Sequence, residues 1–170
     1  MINDEHVNEP FGNAIRGEEY LLRSVVLIAH KSEEVRRDLS LVLQSAGIEE
    51  CDIIAEPSGE VALTALYAAN VKVKAVIVGS DVSNDLGESS AFMRTDYSGV
   101  EVIEKIRENN TNNEPISFII YDSDEELSYY DAEYLRSLDA TSIPIGQPDK
   151  VIENITGAVD VTETPSIDVE

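Results

Sequence analysis

The residues that could carry chemistry stand directly after apolar runs of the sequence. His30 and Lys31 follow the run SVVLIA, and Asp81 comes two residues after the run VKAVIVG. A histidine titrates near neutral pH, so His30 is a candidate pH switch, although a single histidine at a strand end is more often simply hydrogen-bonded. For Lys31 and Asp81, opposite charges after two strands of one sheet predict an ion pair across the strand ends.

Other kinds of site have no counterpart in the sequence. No glycine-rich phosphate-binding loop follows an apolar run, and histidines and cysteines do not cluster at metal-ligand spacing. A nucleophile elbow is also missing. These features count against an enzyme that binds nucleotides or a metal ion.

Five apolar runs alternate with five stretches of helical periodicity. The runs predict strands at 24–29, 51–56, 73–79, 116–121 and 141–145, and the periodic stretches predict helices at 33–46, 58–70, 100–109, 123–138 and 149–159. This alternation predicts parallel βαβ units in one doubly wound sheet with helices on both faces. Ligands of such sheets bind beyond the carboxyl ends of the strands, where His30, Lys31 and Asp81 are expected.

The rest of the chain flanks or interrupts this α/β unit. We interpret residues 1–22 as a flexible N-terminal arm, 23–159 as the folded domain and 160–170 as an acidic disordered tail. A long polar loop joins Gly79 to Gly99. Three interpretations of this loop stay open: a lid, a partner-binding segment and a tolerated insertion.

Charge restricts the partners of the protein. The formal net charge is −22, from 34 acidic residues against 12 lysines and arginines. Because such an acidic chain repels phosphates, we expect neither nucleic acid nor an anionic membrane as a partner. No apolar run approaches the ~18 residues of a membrane span and no signal peptide is recognisable, which predicts a cytoplasmic protein. The single cysteine, Cys51, is expected to be a small buried side chain.

Two segments carry a resemblance to a known family. The segment VLIAHKSEEVRRDLSLVLQSAG matches the first strand, turn and helix of the receiver domains of bacterial response regulators, and YSGVEVIEKIRE resembles their third helix. The resemblance extends from about 23 to 159 and implies a flavodoxin-like (βα)5 fold. In that family, acids after the first and third strands hold Mg²⁺, and the third-strand aspartate accepts a phosphoryl group. A Ser or Thr after the fourth strand senses the phosphate, and a lysine after the fifth pairs with it.

This chain differs from the family at every one of these positions. His30 and Lys31 align with the acid pair, and Gly79 aligns with the phosphoacceptor. Ile120 or Tyr121 aligns with the hydroxyl sensor, and Gly146 or Gln147 aligns with the lysine. The resemblance therefore implies a pseudo-receiver: a regulatory or adaptor module in signal transduction, with no metal, no cofactor and no enzymatic activity. Two alternatives stay open. One is an active receiver phosphorylated on Asp81 or Asp85, and the other is a small-ligand-binding protein of flavodoxin-like fold.

A group of tyrosines predicts where a partner binds. Tyr129, Tyr130 and Tyr134 fall in the predicted fourth helix, where Tyr130 and Tyr134 are one turn apart and share a face. Receivers commonly signal through the face that contains this helix. Tyrosine is enriched at interface hot spots, so we expect these rings, rimmed by Asp131 and Glu133, to dock a basic protein or a second copy of the chain. The alternative is that the rings pack inside the domain.

Overall fold

The computed structural model describes residues 23–82, 98–110 and 115–156. Five parallel strands form one sheet in the order β2-β1-β3-β4-β5. The strands are β1 Ser24–Ala29, β2 Ile53–Glu56, β3 Lys72–Val78, β4 Ser117–Asp122 and β5 Ala140–Pro144. The helices are α1 Glu33–Ser45, α2 Gly59–Ala69, α3 Gly99–Glu108, α4 Asp124–Leu127, α5 Ala132–Leu138 and α6 Pro148–Thr156, and a 3₁₀ turn, Glu50–Asp52, precedes β2. The predicted doubly wound, flavodoxin-like fold is confirmed.

Each face of the sheet buries its own apolar cluster. The side chains of Val26, Ile28 and Ile77 pack with those of α1 and α6 on one face. On the opposite face, alternate residues such as Leu27 and Val76 pack with α2, α3, α4 and α5. The strands are apolar at successive positions because both faces of a parallel sheet are covered. The core therefore fixes β1, β3 and β4 in the centre of the sheet.

Hydroxyl and carboxylate side chains begin the helices that follow the strands. In five helices the residue before the first turn accepts a hydrogen bond from the backbone N–H three positions later; these residues are Ser32, Ser58, Ser98, Ser123 and Asp131. Such caps satisfy N–H groups that have no partner within the helix. The caps of α1, α3 and α4 therefore set where the backbone turns just beyond the strand ends.

Two predictions about local structure are wrong. The predicted helix 123–138 is two helices, because Asp131 accepts a hydrogen bond from the N–H of Tyr134 at 2.7 Å and begins α5. Cys51 is exposed because residues 50–52 form the 3₁₀ turn, so the strand predicted at 51–56 begins only at Ile53.

Several predictions lie outside the described residues. They concern the arm at 1–22, the tail at 160–170, and most of the loop between Gly79 and Gly99, which includes Asp85. None of the helices that the structure describes has the length and apolar character needed to cross a membrane.

Candidate functional site

The imidazole of His30 lies at the centre of the strand ends. The residue directly follows β1 and is only 7% exposed. Its Nδ1 accepts a hydrogen bond from the backbone N–H of Ser32 at 3.2 Å, and its Nε2 lies 3.1 Å from the carbonyl oxygen of Tyr121. Because Nδ1 is an acceptor, the proton is on Nε2, which donates to Tyr121. The ring is therefore a neutral imidazole with both nitrogens engaged.

Burial maintains this neutral state. Desolvation lowers the pKa of His30 below its ordinary value of 6.5, and the guanidinium of Arg36 adds a smaller effect in the same direction. The carboxylate of Asp122 and the carbonyl of Tyr121 oppose the shift without cancelling it. Arg36 is held nearby because its Nη1 donates a hydrogen bond to the carbonyl oxygen of His30 at 2.8 Å.

Gly79 provides the space for the ring. It directly follows β3, which lies between β1 and β4 in the sheet. A Cβ at position 79 would lie 3.0 Å from Cδ2 and 3.2 Å from Nε2 of His30, closer than side chains normally pack. The histidine ring therefore takes the space that a side chain after β3 would need.

Asp122 is a site residue to which the sequence analysis gave no role, although it falls within 121–123, directly after the predicted fourth strand. Its Oδ2 accepts a hydrogen bond from the N–H of Ser80, and its Oδ1 accepts one from the N–H of Ser123, both at 2.8 Å. The carboxylate therefore ties the end of β3 to the end of β4. The predicted fourth strand stopped one residue too early, at Tyr121, although an acid directly after an apolar strand indicates a strand-end position.

Gly99 allows α3 to lie directly against the end of β3. A Cβ at Gly99 would lie 2.1 Å from the carbonyl oxygen of Gly79 and 2.7 Å from Cγ2 of Val78. The N–H of Gly99 donates to the carbonyl oxygen of Ser80 at 2.9 Å. Only a residue without a side chain fits at this contact.

The predicted ion pair between Lys31 and Asp81 is confirmed. Nζ of Lys31 lies 3.4 Å from Oδ2 of Asp81, with the two side chains 37% and 66% exposed. Asp81 also forms an antiparallel bridge with Ser98, which brings together the two ends of the segment between β3 and α3. The pair therefore lies at the surface, beside the buried ring of His30.

The remaining aligned positions lie at the ends of β4 and β5. Ile120 is wholly buried in the apolar core. The buried phenol of Tyr121 accepts a hydrogen bond from the N–H of Gly146 at 3.1 Å. Gly146 has φ +102°, a backbone conformation that favours glycine, and Gln147 leads into α6. The described turn at 145–147 contains no lysine or arginine, although the resembled family has its lysine after the fifth strand.

The tyrosines differ from their predicted placement. Tyr129 and Tyr130 lie in the break between α4 and α5, and only Tyr134 is helical. Tyr129 is 73% exposed and Tyr134 is 43% exposed, whereas Tyr130 is half-buried against the core. The rings of Tyr130 and Tyr134 are stacked, with centroids 6.2 Å apart and planes 4° from parallel. We call these three residues the tyrosine platform.

Two surface cavities lie away from the strand-end site. One, of about 330 Å³, lies beside the start of β3 between the ends of α2 and α3, and Tyr67 lines it. The other, of about 460 Å³, lies along the edge strand β2. Neither is lined by His30, Gly79 or Asp122.

One group of potential metal ligands lies at the surface among the described residues. Glu49, Cys51 and Asp52 bring their ligand atoms within 4.8 Å of one another. Oδ1 of Asp52 already accepts a hydrogen bond from Nε of Arg23 at 2.7 Å. This group is not connected to the strand-end site.

Comparisons with known proteins leave the chain without an assigned family. No model of a known protein family matches it, and neither does any curated protein.

Proposed function

We propose that the protein is a non-phosphorylatable pseudo-receiver that acts as a regulatory or adaptor module by binding another protein. The observation that carries this proposal is the position of His30 against Gly79. In the resembled family, the residue that aligns with Gly79 is the aspartate that receives the phosphoryl group. Here the same space contains a neutral imidazole.

The surrounding charges also disfavour phosphoryl transfer. A magnesium ion needs several oxygen ligands, and it neutralises the charge that develops during transfer. Lys31 places a cation next to His30 where the family has an acid. Among the described residues, Asp122 has the carboxylate nearest to Gly79, and each of its oxygens accepts a hydrogen bond from a backbone N–H.

The alternative of an active receiver rests on Asp81. Its carboxylate is exposed and lies beside the cation of Lys31, so it could meet a phosphoryl donor from solvent. It lies, however, outside the strand-end space that His30 fills. Asp85, the other candidate acceptor, lies outside the described residues.

Exposure to acetyl phosphate separates these functions. The protein is incubated with acetyl phosphate and Mg²⁺, beside an active receiver domain as positive control, and intact masses are measured. We expect no phosphoryl adduct. A near-stoichiometric, acid-labile adduct would contradict the proposal, and its loss in Asp81→Asn or Asp85→Asn would identify the acceptor.

A further inference from the structure

The tyrosine platform combines two stacked rings with one largely exposed tyrosine. Tyr130 is anchored against the core together with Leu135, and its ring is stacked on Tyr134. Tyr129, next to this stack in the chain, exposes 73% of its surface. The stacked rings of Tyr130 and Tyr134 therefore offer contact area while losing little rotamer entropy on binding, and Tyr129 adds an exposed aromatic face.

The platform lies in a strongly acidic part of the surface. Between Ser123 and Ala140 the exposed acids are Asp124, Glu125, Glu126, Asp131, Glu133 and Asp139, and the single basic residue is Arg136. Asp131 and Glu133 lie between the two stacked tyrosines in the sequence. A partner that binds this surface must therefore contact aromatic rings and also carry groups that pair with carboxylates.

We propose that the platform binds an arginine-bearing segment of a partner protein. This inference rests on the proposed function as a protein-binding module and names the chemistry of its partner. A guanidinium group stacks on an aromatic face and forms paired hydrogen bonds with a carboxylate, which matches both features of the surface. Lysine offers the charge without the planar fork.

Charge disfavours a second copy of this chain as the occupant. Each copy has a formal net charge of −22 and would bring the same acids against the platform. Like charges placed opposite one another weaken an interface. A basic segment instead gains from the long-range attraction before contact.

Binding of a synthetic peptide tests the proposal. A short peptide of alternating arginine and serine is titrated into the full chain at about 0.15 M salt, where screening limits long-range attraction. Tyr129→Ser should weaken binding about two- to fivefold, the effect of one exposed cation–π contact. The matched control is Tyr67→Ser, because Tyr67 on α2 is 52% exposed and lines the cavity beside the start of β3, which no residue of the platform lines. It should leave the affinity unchanged.

A second pair of variants separates local from total charge. Glu133→Gln should weaken peptide binding more than Glu104→Gln, which removes an acid of α3 that is also exposed. Equal effects within both pairs would overturn the proposal, because the peptide would then sense only net charge. Self-association that Tyr129→Ser abolishes would also overturn it, in favour of a second copy.

Folding and the proposed function are checked independently. Tyr129→Leu keeps an apolar side chain but loses the aromatic face, so it should weaken binding as much as Tyr129→Ser. Unchanged melting temperatures would exclude unfolding as the cause. Failure of peptide binding without any acetyl phosphate adduct would reject this surface and leave the pseudo-receiver proposal standing.

Discussion

Nε2 of His30 lies 3.1 Å from the carbonyl oxygen of Tyr121, and this contact joins two strands that are not neighbours in the sheet. β3 lies between them, so the imidazole must cross its end to reach β4. The crossing is open because position 79 is a glycine. The histidine and the glycine therefore depend on each other, and this dependence can be measured.

Double-mutant stability should reveal this dependence. Gly79→Ala places a Cβ against the ring and should lower the free energy of unfolding by about 1–3 kcal/mol through overpacking. His30→Ala removes a buried ring and two hydrogen bonds and should lower it by about 3 kcal/mol. In the double variant the ring is absent, so the alanine at 79 should cost little more than His30→Ala alone.

Urea denaturation of the four proteins gives the coupling energy, which we expect to be about 1–3 kcal/mol. Simple addition of the two single effects would contradict the packing of His30 on Gly79.

Stability should decrease as the pH falls below about 6.5. In the unfolded chain a histidine has its ordinary pKa near 6.5, whereas burial lowers the pKa of folded His30. Between these two values the unfolded state binds more protons, so acid favours unfolding. The slope should reach at most about 1.4 kcal/mol per pH unit and vanish below the pKa of the folded state.

The measurement is the free energy of unfolding at closely spaced pH values from about 5 to 7.5, above most carboxylate pKa values. His30→Gln should remove most of the slope. The control is His6→Gln, which changes the other of the two histidines and should leave the slope in place. The same slope in both variants would show that His30 is not its source.

Substitution of Gly99 or Gly146 by alanine should lower the free energy of unfolding, for a different reason at each position. Gly99→Ala forces a Cβ within 2.1 Å of a backbone oxygen and should cost about 3 kcal/mol, because the backbone itself must move. Gly146→Ala meets nothing within 4 Å but keeps φ +102°, and should cost about 1 kcal/mol. Thermal and urea unfolding give both values. Equal losses would contradict the close approach of α3 to β3.

The sheet could be predicted because its central strands are continuous apolar runs. The runs at Ser24–Ala29 and Lys72–Val78 match their predicted strands within one residue at each end. The helix predicted at 123–138 failed because apolar spacing continues across 128–131, where only the capping of Asp131 shows that a new helix begins. Apolar periodicity alone cannot predict a helix break whose capping residue lies within a continuous apolar pattern.

The candidate site was partly predictable. The positions of His30, Lys31 and Asp81 directly after strands predicted that they lie at the same edge of the sheet, and the opposite charges of Lys31 and Asp81 predicted their ion pair. The burial of His30 against Gly79 could not be predicted, because it depends on how one ring crosses from β1 to β4. Asp122 received no role because its place directly after an apolar strand indicates only a strand-end position. That its two oxygens bind the N–H groups of Ser80 and Ser123 depends on the distance between the ends of β3 and β4, which sequence spacing does not show.

The contact between His30 and Gly79 also constrains how the chain can change by single substitutions. Gly79→Asp on its own would set its Cβ within about 3.0 Å of the buried imidazole whose Nε2 contacts the carbonyl oxygen of Tyr121. His30→Asp on its own would remove the ring but would leave position 79 without a nucleophile. Under the proposed function, neither change alone would supply both an acid after β1 and a phosphoacceptor after β3, so no single substitution at these two positions produces the phosphorylation site of a receiver.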